Sequence, residues 1–175
     1  MENDAEVPAG QRAGRDRKGK GQKGTRKQRG ELAEMDFMFK AAGLGFGVAK
    51  PCGDSERYDF ILDSGRRLWR VQVKSTYVKR AHSYGINAMG GRRPETRAYT
   101  AEEIDALVAY IVAEDAWYVI PVEALAGRAR LQFYPTGRKY GGFYEKYREA
   151  WDLMKAGPDH QAFGHSSALG RLLPR

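Results

Sequence analysis

The sequence predicts an α/β (α+β) protein built on one mixed β-sheet flanked by helices. Three observations carry that expectation. Glu31 to Ala42 places Leu32, Met35, Phe39 and Ala42 at helical spacing,. Tyr58 to Thr76 reads as two β-strands around an Asp63-Ser64-Gly65 turn,. Further β-forming runs, and then an aromatic stretch at helical spacing, fill the C-terminal half. With 42 % hydrophobic residues, a chain of 175 residues suffices for one domain with a core, plus tails,.

The first segment is basic. Gly10 to Gly30 holds nine Lys/Arg against the single acid Asp16, so the net charge of +8 resides there and the rest is balanced. A basic stretch rich in glycine and glutamine cannot bury a core, so residues 1–29 are expected to form a disordered tail. Its chemistry suits a polyanion such as double-stranded DNA, gripped at the phosphates by Lys18, Lys20, Lys23, Arg26 and Lys27,. A solubilising tail is the alternative. Gly19 to Gly24 matches GxGxxG, but no strand precedes it and no apolar helix follows, so it marks no nucleotide site,.

Folded structure is expected from Gly30, in a domain spanning 30–156. The Glu31–Ala42 helix ends at Gly43, a natural C-cap,. Phe46 to Ala49 suits a first strand and Pro51 to Asp54 a loop. In the hairpin, Trp69, Val71, Val73 and Ser75 share one face, while Leu68, Arg70, Gln72, Lys74 and Thr76 share the other,. Asp63 belongs to the turn. His82 to Met89 suits another strand, and Gly90 to Pro94 a basic turn. Thr100 to Glu103 has the capping-box pattern of a short helix,. Ala106 to Ala113 is strand or buried helix, which periodicity alone leaves open,. Trp117 to Ile120 and Leu131 to Tyr134 read as strands. Phe143, Tyr144, Tyr147, Trp151 and Met154 form a helical packing face rather than a base-stacking surface,. A loose tail covers 157–175.

Composition also excludes. One cysteine, Cys52, supports neither an internal disulfide framework nor a cysteine-based zinc site,. The longest apolar run, Ala106 to Ala113, is too short for a bilayer,. No apolar h-region follows the N-terminal charges, so a cytoplasmic protein is expected. The basic tail lacks the amphipathic pattern of a membrane-surface segment.

The residues of chemical interest sit on the polar face of the hairpin. Gln72 and Lys74 stand beside Asp59 of the neighbouring strand, and the leading helix offers Glu34 or Glu31. Oxygen donors converging with an ammonium suit a hard cation and a phosphate. Lys79, Arg80, Arg92 and Arg93 lie downstream, where they can grip a DNA backbone or simply face solvent. His82, His160 and His165 show no ligand spacing.

This pattern of Glu on a helix, Asp on one strand and QxK on the next resembles the PD-(D/E)XK nuclease superfamily. The runs RGELAEMDF, RYDFILDSGRRLWRVQVKST and YTAEEIDALVAYIVAEDAWYVIPV resemble, more narrowly, its group I intron-associated endonucleases, over roughly Gly30 to Pro135. The resemblance implies a restriction-endonuclease-like core and a metal-dependent DNA endonuclease, with homing-type activity. It makes Asp59 the central metal carboxylate, Gln72 a ligand where most relatives carry Glu, and Lys74 the motif lysine. Glu34 matches the helix glutamate, with Glu31 as the competing candidate. Tyr58 stands where the family's name has proline. The implied cofactor is Mg2+, with Mn2+ as a substitute. The implied partner is double-stranded DNA, cut by a homo-oligomer, since one small active centre cannot sever both strands. A Holliday-junction resolvase or repair nuclease on the same chemistry, and a noncatalytic nucleic-acid-binding module, are the alternatives.

Overall fold

The computed structural model describes residues 24–53, 55–91, 96–137 and 142–155. Of the expected tail over residues 1–29, residues 1–23, with Lys18, Lys20 and Lys23, lie outside the described residues. So do Arg92, Arg93 and the stretch from Gly157 onward.

Helix α1 (Arg26–Gly43) starts ahead of the expected Gly30 boundary. Its N-cap is Thr25, whose Oγ1 accepts the Gln28 N–H at 3.2 Å while Gln28 Oε1 accepts the Thr25 N–H at 2.8 Å. That reciprocal box satisfies donors the helix would otherwise leave open, and it draws Arg26, Lys27 and Arg29 into the first turn,. The buried stripe also differs from the expected one. Ala33, Phe37 and Ala41 face the core, whereas Leu32, Met35 and Phe39 are exposed, Phe39 at 88 %. Both stripes have helical period, and period does not fix phase. Two alanines flanking a phenylalanine let the helix axis approach the sheet while one ring fills the gap.

The strands are β1 (Gly47–Ala49), β2 (Phe60–Asp63), β3 (Leu68–Thr76), β4 (Lys79–Arg80), β5 (Ser83–Asn87), β6 (Met89–Gly90), β7 (Arg97–Ala98), β8 (Ala106–Ile111), β9 (Ala116–Pro121) and β10 (Arg130–Phe133). A five-stranded sheet runs β1-β2-β3-β8-β9, with β3 and β8 parallel and the other pairs antiparallel. It is a mixed sheet, as expected. The Ala106–Ala113 ambiguity resolves to a strand, β8, buried on both faces, which explains its uninterrupted apolar run,. A smaller sheet, β10-β5-β4, and the β6-β7 pair complete the architecture.

Two apolar layers hold these parts together. On one face, Val71, Val73, Phe60 and Val108 pack beneath Phe37 of α1 with Trp117, Trp151 and Met154. Phe37 lies 4.9 Å from the Phe60 ring and 6.2 Å from that of Trp151. On the other face, Leu107, Ala109, Tyr118 and Ile120 meet Tyr84, Ile86, Leu131 and Phe133 of the smaller sheet.

Two expected helices are absent. Half of the Thr100–Glu103 box forms, with the Thr100 N–H donating to Glu103 Oε2 at 3.1 Å, but the Glu103 N–H donates to the Thr100 carbonyl at 3.0 Å and the segment is a turn. Buried Ile104 follows, and the Asp105 N–H donates to the Arg70 carbonyl at 2.9 Å, which commits the chain to β8. Phe143 to Lys155 is not one helix but a 3-10 turn (Glu145–Tyr147) followed by the short helix Asp152–Lys155. Glu149, at φ 48°, breaks it, and its N–H donates to the Trp117 carbonyl at 2.8 Å. Tyr144, Trp151 and Met154 are buried as a packing face, while Phe143 is exposed. Among the described residues no helix is long and apolar enough to cross a membrane.

Candidate active site

The hairpin register decides which side chains meet. Phe60 stands opposite Val71, and the Asp59 N–H extends the ladder by donating to the Val71 carbonyl at 2.9 Å. The next rung therefore sets Asp59 beside Gln72, on the face opposite the α1 layer. The Val73 N–H donates to Asp59 Oδ2 at 2.8 Å, and Gln72 Nε2 donates to the same oxygen. Gln72 Nε2 also reaches the Val73 carbonyl at 3.1 Å. At 6 % exposure Gln72 is the buried polar side chain of the described core, and a buried amide requires such partners,. Lys74 is one pleat further along and on the same face,.

The fourth group comes from α1. With Ala33 and Phe37 pinned to the sheet, the neighbouring Glu34 projects at the edge of that contact. It lines a cleft of about 430 Å³ together with Asp59, Gln72 and Lys74. Glu31 is not part of that lining and pairs instead with Lys27, 3.9 Å away. Of the two candidate acids, Glu34 is the one at the cluster. A larger cleft of about 850 Å³ opens on the other side of the same three hairpin residues, walled by Arg57, Met89, Gly90, Arg97 and Tyr99.

Electrostatics mark Asp59 as a carboxylate whose charge is disfavoured. Burial pushes the Asp59 carboxyl up to about 6, and the charge of Glu34 adds to the rise. The Val73 N–H, Lys74 and Lys50 oppose it. Burial lowers the Lys74 ammonium from the usual lysine range, against the attraction of Asp59 and with the help of Arg57. A carboxyl and an ammonium displaced toward each other are a mark of functional sites.

Several residues here escape sequence reasoning. Lys50, just after β1, places its Nζ 2.7 Å from Glu34 Oε2. Arg57 sits 4.9 Å from the Tyr99 ring centre and 3.1 Å from Glu103, and Lys74 lies 5.8 Å from the same ring. Tyr99 crosses over β6 so closely that a β-carbon at Gly90 would overlap its phenol,. Arg29 rims the smaller cleft beside Arg26 and lies 5.6 Å from the Tyr77 ring. Of the expected DNA-gripping residues, Arg26 lines that cleft and Arg80 is exposed on β4. Lys79 is engaged by Glu114 at 3.2 Å and lies over the Tyr84 ring, so its charge is partly satisfied within the fold.

The donor set fits a hard divalent cation. Asp59 and Glu34 offer carboxylate oxygens, and burial together with the charge of Glu34 disfavours ionisation of Asp59 in the protein alone,. Among the described residues no group of three or more His, Cys, Asp or Glu gathers, so two carboxylates set the charge. Such a count suits an ion that keeps several waters and shares a phosphate. For Gln72 to contribute, its Oε1 rather than its Nε2 must face Asp59. A half-turn about the last side-chain torsion exchanges the two, and that torsion is soft and roughly two-fold.

A family model described as PD-(D/E)XK endonuclease matches residues 25–141. The structure is similar to that of a bacterial homing endonuclease, I-Ssp6803I, with a TM-score of 0.64 and 29 % sequence identity. The match covers 75 % of this chain and 92 % of that one. No curated protein matches.

Proposed function

The chain belongs to the PD-(D/E)XK endonuclease family, nucleases that hydrolyse phosphodiester bonds, and from that premise we propose that it cleaves double-stranded DNA with Mg2+ at Asp59, Gln72, Lys74 and Glu34. The observation that carries this reading is that Asp59, Gln72 and Lys74 line both clefts and Glu34 joins them along the smaller one. Asp59 and Glu34 are the anionic ligands, and Gln72 supplies a neutral oxygen. The cation, Mg2+ or Mn2+ in its place, supplies polarisation of the phosphoryl oxygens and activation of water. Lys74, beside Asp59 and lowered by burial, holds the attacking water and balances the charge the phosphoryl group gains,. A lysine so lowered also exchanges a proton with that water closer to neutral pH.

The likeness to a homing endonuclease favours an intron-homing role, and with it a cytoplasmic location. Arg26 and Arg29 at the rim, with the basic residues ahead of them, supply phosphate grip,. The exposed apolar stripe Leu32, Met35 and Phe39 supports a homo-oligomer, which would give the second centre needed for a double-strand cut,.

Nicking of supercoiled plasmid in Mg2+ tests the reading. Asp59→Ala and Lys74→Ala are expected to lose at least about a hundredfold in rate while binding DNA as wild type does. Equal residual cleavage in all three proteins would sink the assignment. DNA binding with no cleavage by wild type would instead make the chain a binding module on a nuclease fold.

A further inference from the structure

Lys50 belongs to no motif. It stands at the end of the edge strand β1, whose register sets Ala49 opposite Ile61 and so brings Lys50 alongside Phe60 and Asp59. Its Nζ lies 2.7 Å from Glu34 Oε2 and 5.6 Å from the Phe60 ring centre. The field of Asp59 reaches it as well. In the protein alone, two carboxylates drawn from different elements, α1 and the start of β2, are thus held near one another by two ammonium groups. Lys74 approaches from the β3 side and Lys50 from the β1 side. Lys74 is part of the proposed hydrolytic set. Lys50 is bonded to the very carboxylate that a cation would need.

We propose that Lys50 is the resident counter-ion of the metal-free site, holding the Glu34 carboxylate in place and yielding Glu34 Oε2 when a divalent cation arrives. Lys50 is then a positioning residue that acts through Glu34, and it competes with the metal in the DNA-free protein. The inference rests on the metal-site reading above. The competition follows from geometry. A carboxylate oxygen that already accepts a charge-assisted hydrogen bond at 2.7 Å offers a cation less,. The ion pair is partly solvent-exposed on both sides, so its contribution is modest and salt-dependent,.

The test is Mn2+ binding to the DNA-free protein, followed by titration calorimetry or by the spin-resonance signal of free Mn2+. Lys50→Met, which keeps an unbranched side chain without the charge, is expected to bind Mn2+ about fivefold more tightly at low salt, and the gain shrinks as salt is added. Lys50→Gln is measured beside it as a polar replacement, with thermal unfolding to show that both variants are folded. In a Glu34→Gln background, Lys50→Met is expected to bring no gain, because the carboxylate it releases is gone. Unchanged or weaker Mn2+ binding by folded Lys50→Met and Lys50→Gln, with binding lost in Asp59→Asn, overturns the counter-ion role and leaves the metal site standing. A gain that persists in the Glu34→Gln background overturns it too, since the effect would then be general charge. If Asp59→Asn binds Mn2+ as wild type does, the metal site itself falls and this inference with it.

Discussion

At the scale of single residues, Asp59 is where stability and function oppose each other. Its carboxyl titrates near 6 in the folded protein against the usual 3.8, because burial and Glu34 disfavour the charge. The folded state therefore holds the proton more tightly than the unfolded chain does. In metal-free protein, the stability contributed by this group is fully present below about pH 4 and declines as pH rises toward 6. Asp59→Asn, which keeps an acceptor for the Val73 N–H and Gln72 Nε2, is expected to stabilise the protein in chelator by on the order of 2 kcal/mol at pH 7 and by nothing at pH 4. Urea denaturation at the two pH values measures it, and equal midpoints at pH 7 would contradict the account. The same proton competes with metal, so cleavage at limiting Mg2+ is expected to fall below about pH 6, with the midpoint moving to lower pH as Mg2+ is raised. The shared face of Gln72 and Lys74 was legible in the sequence because alternation along a strand fixes it, whereas Asp59 is set beside them by the hairpin register. Lys50, Arg57 and Tyr99 were not legible, since they reach the site from connections whose path no local period encodes.

At the scale of elements, α1 shows what a periodic pattern can and cannot say. Its existence was legible, but its start was displaced by a capping box at Thr25 and its buried side was misassigned. Leu32, Met35 and Phe39 are the more hydrophobic stripe, yet the sheet accepted Ala33, Phe37 and Ala41. Close approach of backbone to sheet outweighed side-chain size. Phe37→Ala is accordingly expected to cost about 3–5 kcal/mol by opening a cavity among Phe60, Trp117 and Trp151, and Phe39→Ala less than about 0.5 kcal/mol,. Chemical denaturation of the two variants compares them directly, and similar losses would mean the helix is turned the other way. Because Glu34 follows Ala33 where the helix first meets the sheet, loosening Phe37 is also expected to lower cleavage more than the stability loss explains. The absent helix at Phe143 to Lys155 teaches the same lesson from tertiary structure: Glu149 and Arg148 pair with β9 instead of with a helical turn.

At the scale of the whole molecule, charge and chemistry occupy different parts of the chain. The basic residues from Arg12 to Lys23 precede the Thr25 cap, so removing residues 1–23 leaves α1 and the four site residues in place. That truncation is expected to flatten the salt dependence of DNA binding, with the log–log slope falling by about 0.9 for each phosphate the shortened protein no longer neutralises, while cleavage at low salt persists. Loss of cleavage at low salt would show that the segment is part of the hydrolytic site. Sheet order held a further lesson. The sequence suggested a mixed sheet, but nothing local announced that β3 would take its parallel neighbour from beyond residue 105. All four proposed hydrolytic side chains fall between residues 34 and 74, whereas Met89, Gly90, Arg97 and Tyr99, the far wall of the larger cleft, ride on the long excursion from β3 to β8. Inheritance can therefore act on the two separately. Substitutions along that excursion reshape the far wall of the larger cleft while leaving the four proposed hydrolytic side chains in the chain unchanged.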